Sequence, residues 1–455
     1  MNLNTTSIQG RSLLIKSTAA TRSNLTWFER ALFAIGIFEI PLGIDAFLFY
    51  SVSDAELGAV GGFNISITTI CLGMLYAFWV LALMHRQLSY RPALFGIPML
   101  VYVSAVLLSA LAAEKPMLTL CDVFLLLQSY ALFFFIANRI TNRRDLTFCL
   151  GCLAAALATQ GVIMIGQKCI GGALYGQRIF VGPISLSVWE DGRTAGTLVS
   201  AVLAGSWIAI LWVITLSLFL TAKDTKLWWY LLCCLVLGLL GMLFTQTRGA
   251  LISVVFGTLV VGVGMLVRGW LPSWTFGLAL FGILTAVIPI AQIVQNRIVK
   301  GDEGSADSRT HLSAIAFKTI EQNPIFGYGA GNCHLACMEV ANSSEFRSEW
   351  YFTIHCKYLL VWIETGILGL LAFLAVLLNG LRYGLVAWVQ SRPKLSPLGL
   401  GCAAAIVGHM IHMIVDIFNS RAEVQTLWVV IGVSASIYRL SLVPIADPLA
   451  RRVPV

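Results

Sequence analysis

Apolar windows of near-spanning length recur along almost the whole chain, and no other feature constrains its fold as tightly. They lie at about 28–49, 64–84, 94–112, 117–138, 146–166, 197–221, 228–246, 249–267, 273–293, 357–380, 397–417 and 424–441. About 20 apolar residues in a helix cross the ~30 Å hydrocarbon core of a bilayer. Backbone exposed to lipid must satisfy its own hydrogen bonds, so such windows become helices of one bundle. Composition agrees: of 455 residues, 58% are hydrophobic and 11% charged, against about 25% charged in soluble domains. The expected class is all-α, a polytopic integral membrane bundle of about twelve transmembrane helices.

Loop charge orients the bundle. An even span count puts both termini on one side. With that side cytoplasmic, eighteen of the thirty Lys and Arg fall inside, while the short outer loops hold few. There is none between the first two spans, and Lys115 alone lies between the third and fourth. The positive-inside rule therefore predicts a cytoplasmic tail at 1–27 and a transmembrane region of about nine spans at 28–293. An outer (periplasmic) loop at 294–356, three further spans at 357–441 and a cytoplasmic tail at 442–455 follow. A second long outer loop covers about 167–196. The polar N-terminal segment precedes a run of spanning length with no small-residue cleavage site, so no cleavable signal peptide is expected. The inner (plasma) membrane is the expected location.

The net charge of +8 reports topology rather than nucleic acid, because no basic cluster is interleaved with exposed aromatics. The eleven cysteines are scattered, mostly through apolar runs, and give no disulfide framework. Buried thiols of this kind act as small hydrophobes.

Ionisable groups in and beside the apolar runs are functional candidates, since burying charge in lipid is costly. In the run Ile354 to Leu374, His355 and Lys357 stand at the mouth and Glu364 lies within. His355 reads either as a base for a hydroxyl proton or as an interfacial residue anchoring its helix. Glu364, nine residues on, is off that face and suits a partner on another helix. Arg193, Arg248 and Arg309 fall on predicted outer segments. They read either as guanidinium groups for a phosphate or pyrophosphate or as side chains snorkelling to headgroups. His409, His412 and Asp416 have helical spacing for one face; a proton relay, a sugar-binding face and a structural network all fit. Glu39 and Asp45 are weaker candidates of the same kind.

Two tempting patterns are set aside. Gly327-Tyr328-Gly329-Ala330-Gly331 lacks the strand–turn–helix setting of a dinucleotide loop. Cys333-His334-Leu335-Ala336-Cys337 would need further ligands, from His355 and Cys356, to hold zinc; local disulfide or free thiols are favoured, and no metal site is expected. In the outer loop, Ser308 to Gln322 reads as an amphipathic helix ended by Asn323-Pro324.

Four ordered segments resemble the O-antigen ligase and O-antigen polymerase superfamily. TQTRGALISVVFG resembles its Arg-Gly helix opening. SRTHLSAIAFKTIEQNPIFGYGAGN resembles its outer-loop signature, HCKYLLVWIETGILGLLAFL its histidine-led span, and the His409/Asp416 helix is similar as well. Together they run from residue 193 to about 420. The resemblance implies transfer of a glycan from undecaprenyl pyrophosphate to an acceptor hydroxyl at the outer face of the membrane, without metal, nucleotide or other cofactor. It implies His355 as the essential histidine and Arg193 and Arg248 as the pyrophosphate-binding arginines. Arg309, Glu364, His409, His412 and Asp416 are donor- or acceptor-binding candidates. The acceptor is a lipid A core in a ligase and another lipid-linked glycan in a polymerase; protein O-glycosylation is a third variant. Cys356 after the histidine, and the absence of an asparagine in TAGTLVSAVLAG after Arg193, depart from the family pattern. In a different class, a lipid-linked sugar flippase would use the intramembrane charges as its pathway. Such transporters show repeated halves, and no convincing internal repeat is found.

Overall fold

A computed structural model describes residues 24–85, 92–171, 176, 178–181, 184–188, 192–272, 274, 276–277, 281, 305–343 and 354–442. Most of the predicted span 273–293 and most of both predicted tails lie outside these residues. Seven helices are long and apolar enough to cross a membrane: α3 (Ile67–Met84), α5 (Pro116–Arg139), α6 (Arg143–Ile170), α7 (Ala201–Thr221), α8 (Thr225–Thr245), α9 (Arg248–Val267) and α12 (Lys357–Val389). Packed with them are α1 (Trp27–Glu39), α4 (Ile97–Ser109), α13 (Ser396–His412) and α14 (Arg421–Leu442). A polytopic helical bundle is thus the architecture; among the described residues seven helices meet the length-and-composition standard for spanning, against about twelve expected over the whole chain.

Three predicted spans differ from the structure. The window 28–49 is not one helix: α1 ends at Glu39, ahead of Pro41, and the chain turns into β1 (Asp45–Leu48). A proline ring fits poorly inside a helix because it clashes with the preceding turn. β1 pairs antiparallel with β2 (Phe63–Ser66), and the short α2 (Val52–Glu56) lies between them. The window 397–417 stops at His412, so Asp416 sits in the turn beyond α13 rather than on its face. The window 357–380 becomes 33 residues broken at Gly366, whose φ of 66° is left-handed.

Helix α7 is central. Its residues from Ala204 to Leu218 are all buried, the pattern of a helix apolar all round. Polar bridges fix its neighbours: Ser206 donates to Glu423 at 2.8 Å, and Trp207 Nε1 to Thr426 at 2.9 Å. Both α1 and α14 also meet through Arg421, which forks onto Glu39 at 2.6 and 3.1 Å and reaches Asp45 at 3.0 Å. Glu39 and Asp45 are thereby structural partners of Arg421.

Both described chain ends lie at one end of the bundle. Arg139 pairs with Glu29, Arg30 with Asp145, and Arg439 donates to Asn138. The opposite, loop-rich end carries the β1–β2 hairpin, a second hairpin of β3 (Arg178–Val181) and β4 (Ile184–Ser187), and two loop helices, α10 (Ser305–Gln322) and α11 (Cys333–Ser343). The amphipathic stretch predicted from Ser308 is therefore helical and ends at Gln322. Leu312, Ile315, Ala316 and Ile320 of α10 bury one face against α11 and the start of α12 in a separate small core.

Candidate functional site

The α8–α9 junction gathers the first group. Gln246, at φ 51°, reverses the chain, and Arg248 is the first helical residue of α9. The loop bearing Arg193 lies across this reversal: Thr194 N–H donates to the Phe244 carbonyl at 3.1 Å. The Arg193 guanidinium donates to the Thr245 carbonyl at 2.8 Å and to Thr247 Oγ1 at 3.3 Å. Helix α6 holds the loop from behind. Gln167 makes paired bonds to Gly196, and Lys168 donates to the Gly192 carbonyl at 3.1 Å. Arg193 and Arg248, 55 positions apart (248 minus 193), therefore share one turn of structure.

Electrostatics at this junction favour an anion. The N-terminus of a helix carries partial positive charge and N–H groups without intrahelical partners. Thr247 occupies the N-cap but makes no capping bond; its hydroxyl donates instead to the Ala201 carbonyl at 3.0 Å. A half-buried arginine at that position adds like charge to the helix terminus. A phosphate group would relieve both, through the fork geometry of guanidinium and the helix N–H groups.

Helix α13 brings the second group. The His412 ring lies against Gly249, where an added Cβ would sit 2.8 Å from Nδ1. This contact explains the Arg-Gly pair, because any side chain at 249 would drive the imidazole away. His412 Nε2 is 3.4 Å from Asp416 Oδ2. These atoms are buried with no hydrogen-bond partner among the described residues, as are His412 Nδ1 and His409 Nε2. His409 stacks edge-on against Phe418, centroids 4.3 Å apart. Buried polar atoms left unpaired cost about 1–3 kcal/mol each, and native proteins keep few of them.

His355 enters through α12. Lys357 N–H donates to the Met413 carbonyl at 2.9 Å, and the Tyr358 hydroxyl to the Met410 carbonyl at 2.7 Å. Half-buried His355 precedes this joint by two residues, and His412 precedes it by one on the other chain segment. The loop-rich end thus aligns Arg193, Arg248, His412 and Asp416, with His355 at the adjoining joint.

Two candidates are placed elsewhere. Arg309 is exposed on α10, which packs on α11 and α12. Glu364 meets the glycine-rich loop, its Oε1 accepting from Gly331 N–H at 3.0 Å, and it also lies beside Asp122 of α5 and the start of α11 at Cys333. The loop repairs the break in α12. Its Tyr328 and Gly329 N–H groups donate to the carbonyls of Ile363 and Glu364, and Ile367 N–H donates to the Pro324 carbonyl. At Gly366 a Cβ would overlap the Ile325 carbonyl. Asn332 closes the segment, accepting from Lys115 N–H at 2.8 Å and donating to the Ala330 carbonyl at 3.0 Å. The glycine-rich segment is a backbone wedge between α5 and α12.

Helix α11 carries the Cys-His-Leu-Ala-Cys sequence. Cys333 and Cys337 are free thiols with sulfurs 3.7 Å apart. His334 turns away, 3.2 Å from Asp54, which also takes Lys115 Nζ at 2.7 Å. No group able to hold a metal ion is found among the described residues. Sequence reasoning missed Asn332, Asp122 and Arg421. The asparagine closing the glycine segment and the lone Asp122 within an apolar run were the available signals.

The fold and these polar groups define a polytopic helical membrane protein with a polar site at one end of its bundle. Residues 233–374 match the family model described as O-antigen ligase. The match takes in Arg248, the glycine-rich loop, His355 and Glu364, and it supports the resemblance of this segment to the O-antigen ligase and O-antigen polymerase superfamily. Arg193 and the His409–Asp416 group lie outside the matched residues. No curated protein matches the chain.

Proposed function

We propose that this protein is a membrane glycosyltransferase of the O-antigen ligase type. It moves a glycan from undecaprenyl pyrophosphate to an acceptor hydroxyl, a lipid A core being the acceptor class of a ligase. In this reading the loop-rich end faces the periplasm, both tails are cytoplasmic, and the chain resides in the inner membrane. The domain limits are those predicted, with the segment 294–356 as the outer loop.

The geometry supports one assignment of roles. Arg248 and the N-terminus of α9 take the donor pyrophosphate, and Arg193 braces their turn while adding its charge. His355 accepts the acceptor hydroxyl's proton as its oxygen attacks the anomeric carbon. The bond from that carbon to the pyrophosphate oxygen breaks, and undecaprenyl pyrophosphate leaves with its charge stabilised. Asp416 orients His412 beside Gly249, where the ring completes the donor pocket; buried His409 supports that face. Arg309 and Glu364 act from the outer loop and from the wall behind it.

The observation carrying this reading is the unsatisfied His412–Asp416 pair packed against the arginine-bearing start of α9. The test uses purified protein and lipid-linked glycan extracted from cells lacking the gene. Arg248→Gln is expected to slow undecaprenyl pyrophosphate release about a hundredfold, the scale of one lost charge-stabilising donor. Release at the wild-type rate would remove the pyrophosphate role.

A further inference from the structure

A cavity with a mostly apolar lining and a few charged groups lies between α4, α5, α12 and α14, and Lys357 is among the residues that line it. Tyr102, Asp122, Lys357, Glu364, Asn419 and Trp428 are among its lining residues. Lys357 is 8% exposed, and its ammonium has no hydrogen-bond partner among the described residues. The Asp122 carboxylate likewise makes no hydrogen bond there. Gly331 sets the two carboxylates side by side. Its N–H donates to Glu364 Oε1 at 3.0 Å, and a Cβ on it would lie 2.9 Å from Asp122 Oδ2.

A buried ammonium and a half-buried carboxylate that face one cavity without hydrogen-bond partners are costly unless something polar fills it. Carboxylates that accept, an ammonium that donates and aromatic faces such as Tyr102 and Trp428 match a group bearing several hydroxyls with apolar C–H faces between them. Two carboxylates against one ammonium oppose a further anion. The cavity therefore suits a neutral or amino sugar and disfavours a uronate or a phosphate.

We propose that this cavity is a glycan subsite, in which Asp122 and Lys357 bind hydroxyl or amino groups of a sugar unit of the transferred glycan. This rests on the glycosyltransferase reading above. It also assigns the wedge formed by the outer glycine-rich loop a second task, since Ala330 and Gly331 form the wall that holds the carboxylates in register.

The experiment separates sugar recognition from pyrophosphate recognition. Asp122→Asn keeps the shape and changes the charge; Val106→Phe fills the cavity from α4, where Val106 lines it. Each purified variant is assayed with the lipid-linked glycan, with undecaprenyl pyrophosphate as competing product and thermal unfolding as a control. The expected result is a KM for the glycan donor raised at least about tenfold in both variants, with unchanged product inhibition and melting temperature. An unchanged KM in both overturns the subsite, as does a loss of product inhibition equal to the loss of substrate binding. Wild-type protein that releases no undecaprenyl pyrophosphate would instead overturn the glycosyltransferase reading itself.

Discussion

The α8–α9 junction and the glycine-rich loop both lie within the residues matched to the family model, yet the polar groups around them are used in opposite ways. In the loop nearly every donor and acceptor is spent. Tyr328, Gly329 and Ile367 repair the break at Gly366, and Asn332 ties down the Lys115 backbone. At the junction, buried atoms of His412 and Asp416, which pack against it from outside the matched residues, stay unsatisfied beside an uncapped helix start. Saturated groups hold a fold together, whereas unsatisfied ones await a ligand or a reaction. Motif membership alone does not separate the two.

Substitutions on each side should split stability from activity. The largest effect belongs to the loop side. Gly366→Val puts a β-branched side chain at φ 66° and into the Ile325 carbonyl, at a cost of at least about 3 kcal/mol. Size-exclusion of a fluorescent fusion should show no folded monodisperse protein; a normal profile would mean that the wedge is not structural.

Gly249→Ala should do the reverse. Displacing His412 by a fraction of an ångström is expected to lower turnover about a hundredfold while the melting temperature stays put. Equal losses of both would erase the distinction between the regions. Asn332→Ala sharpens it further, because its lost hydrogen bonds cost about 1–3 kcal/mol. Its melting temperature should fall while turnover per folded molecule at low temperature stays near wild type.

The smallest expected effect is a pH response of the α2–α11 contact. Burial pushes His334 below its ordinary range despite the neighbouring Asp54, so the folded state binds its proton less readily than the unfolded chain. Stability from this group is present above about pH 6.5 and declines as the pH falls below it. Hydrogen exchange in 333–343 should quicken between pH 7 and 5, and His334→Gln should flatten that dependence.

The sequence made the bundle legible because burial in lipid leaves an apolar helix little choice. It misjudged three ends where local chemistry overrides hydropathy: Pro41 ends α1, the turn after His412 frees Asp416, and Gly366 breaks α12. The arginine pair and His355 were readable as charges at predicted loop ends. The meeting of the two arginines was not, because Arg193 reaches the α8–α9 turn through bonds between segments far apart in the chain. It donates to Thr245 and Thr247 in the turn, and Gln167 and Lys168 of α6 hold its loop from behind. Glu364 illustrates the same gap. Its position in an apolar run marked it for a partner on another helix, and nothing in the sequence signalled the hydrogen bond it accepts from a glycine N–H of the folded-back loop.

The central claim is glycan transfer at the joint of α12 and α13, with His355 taking the acceptor proton. Its most direct test is undecaprenyl pyrophosphate release from the lipid-linked glycan by folded wild-type protein and His355→Ala, with acceptor present. The account predicts release by the wild type and a fall of about a thousandfold in the variant, within the range for a general base. Equal rates in the two would contradict it.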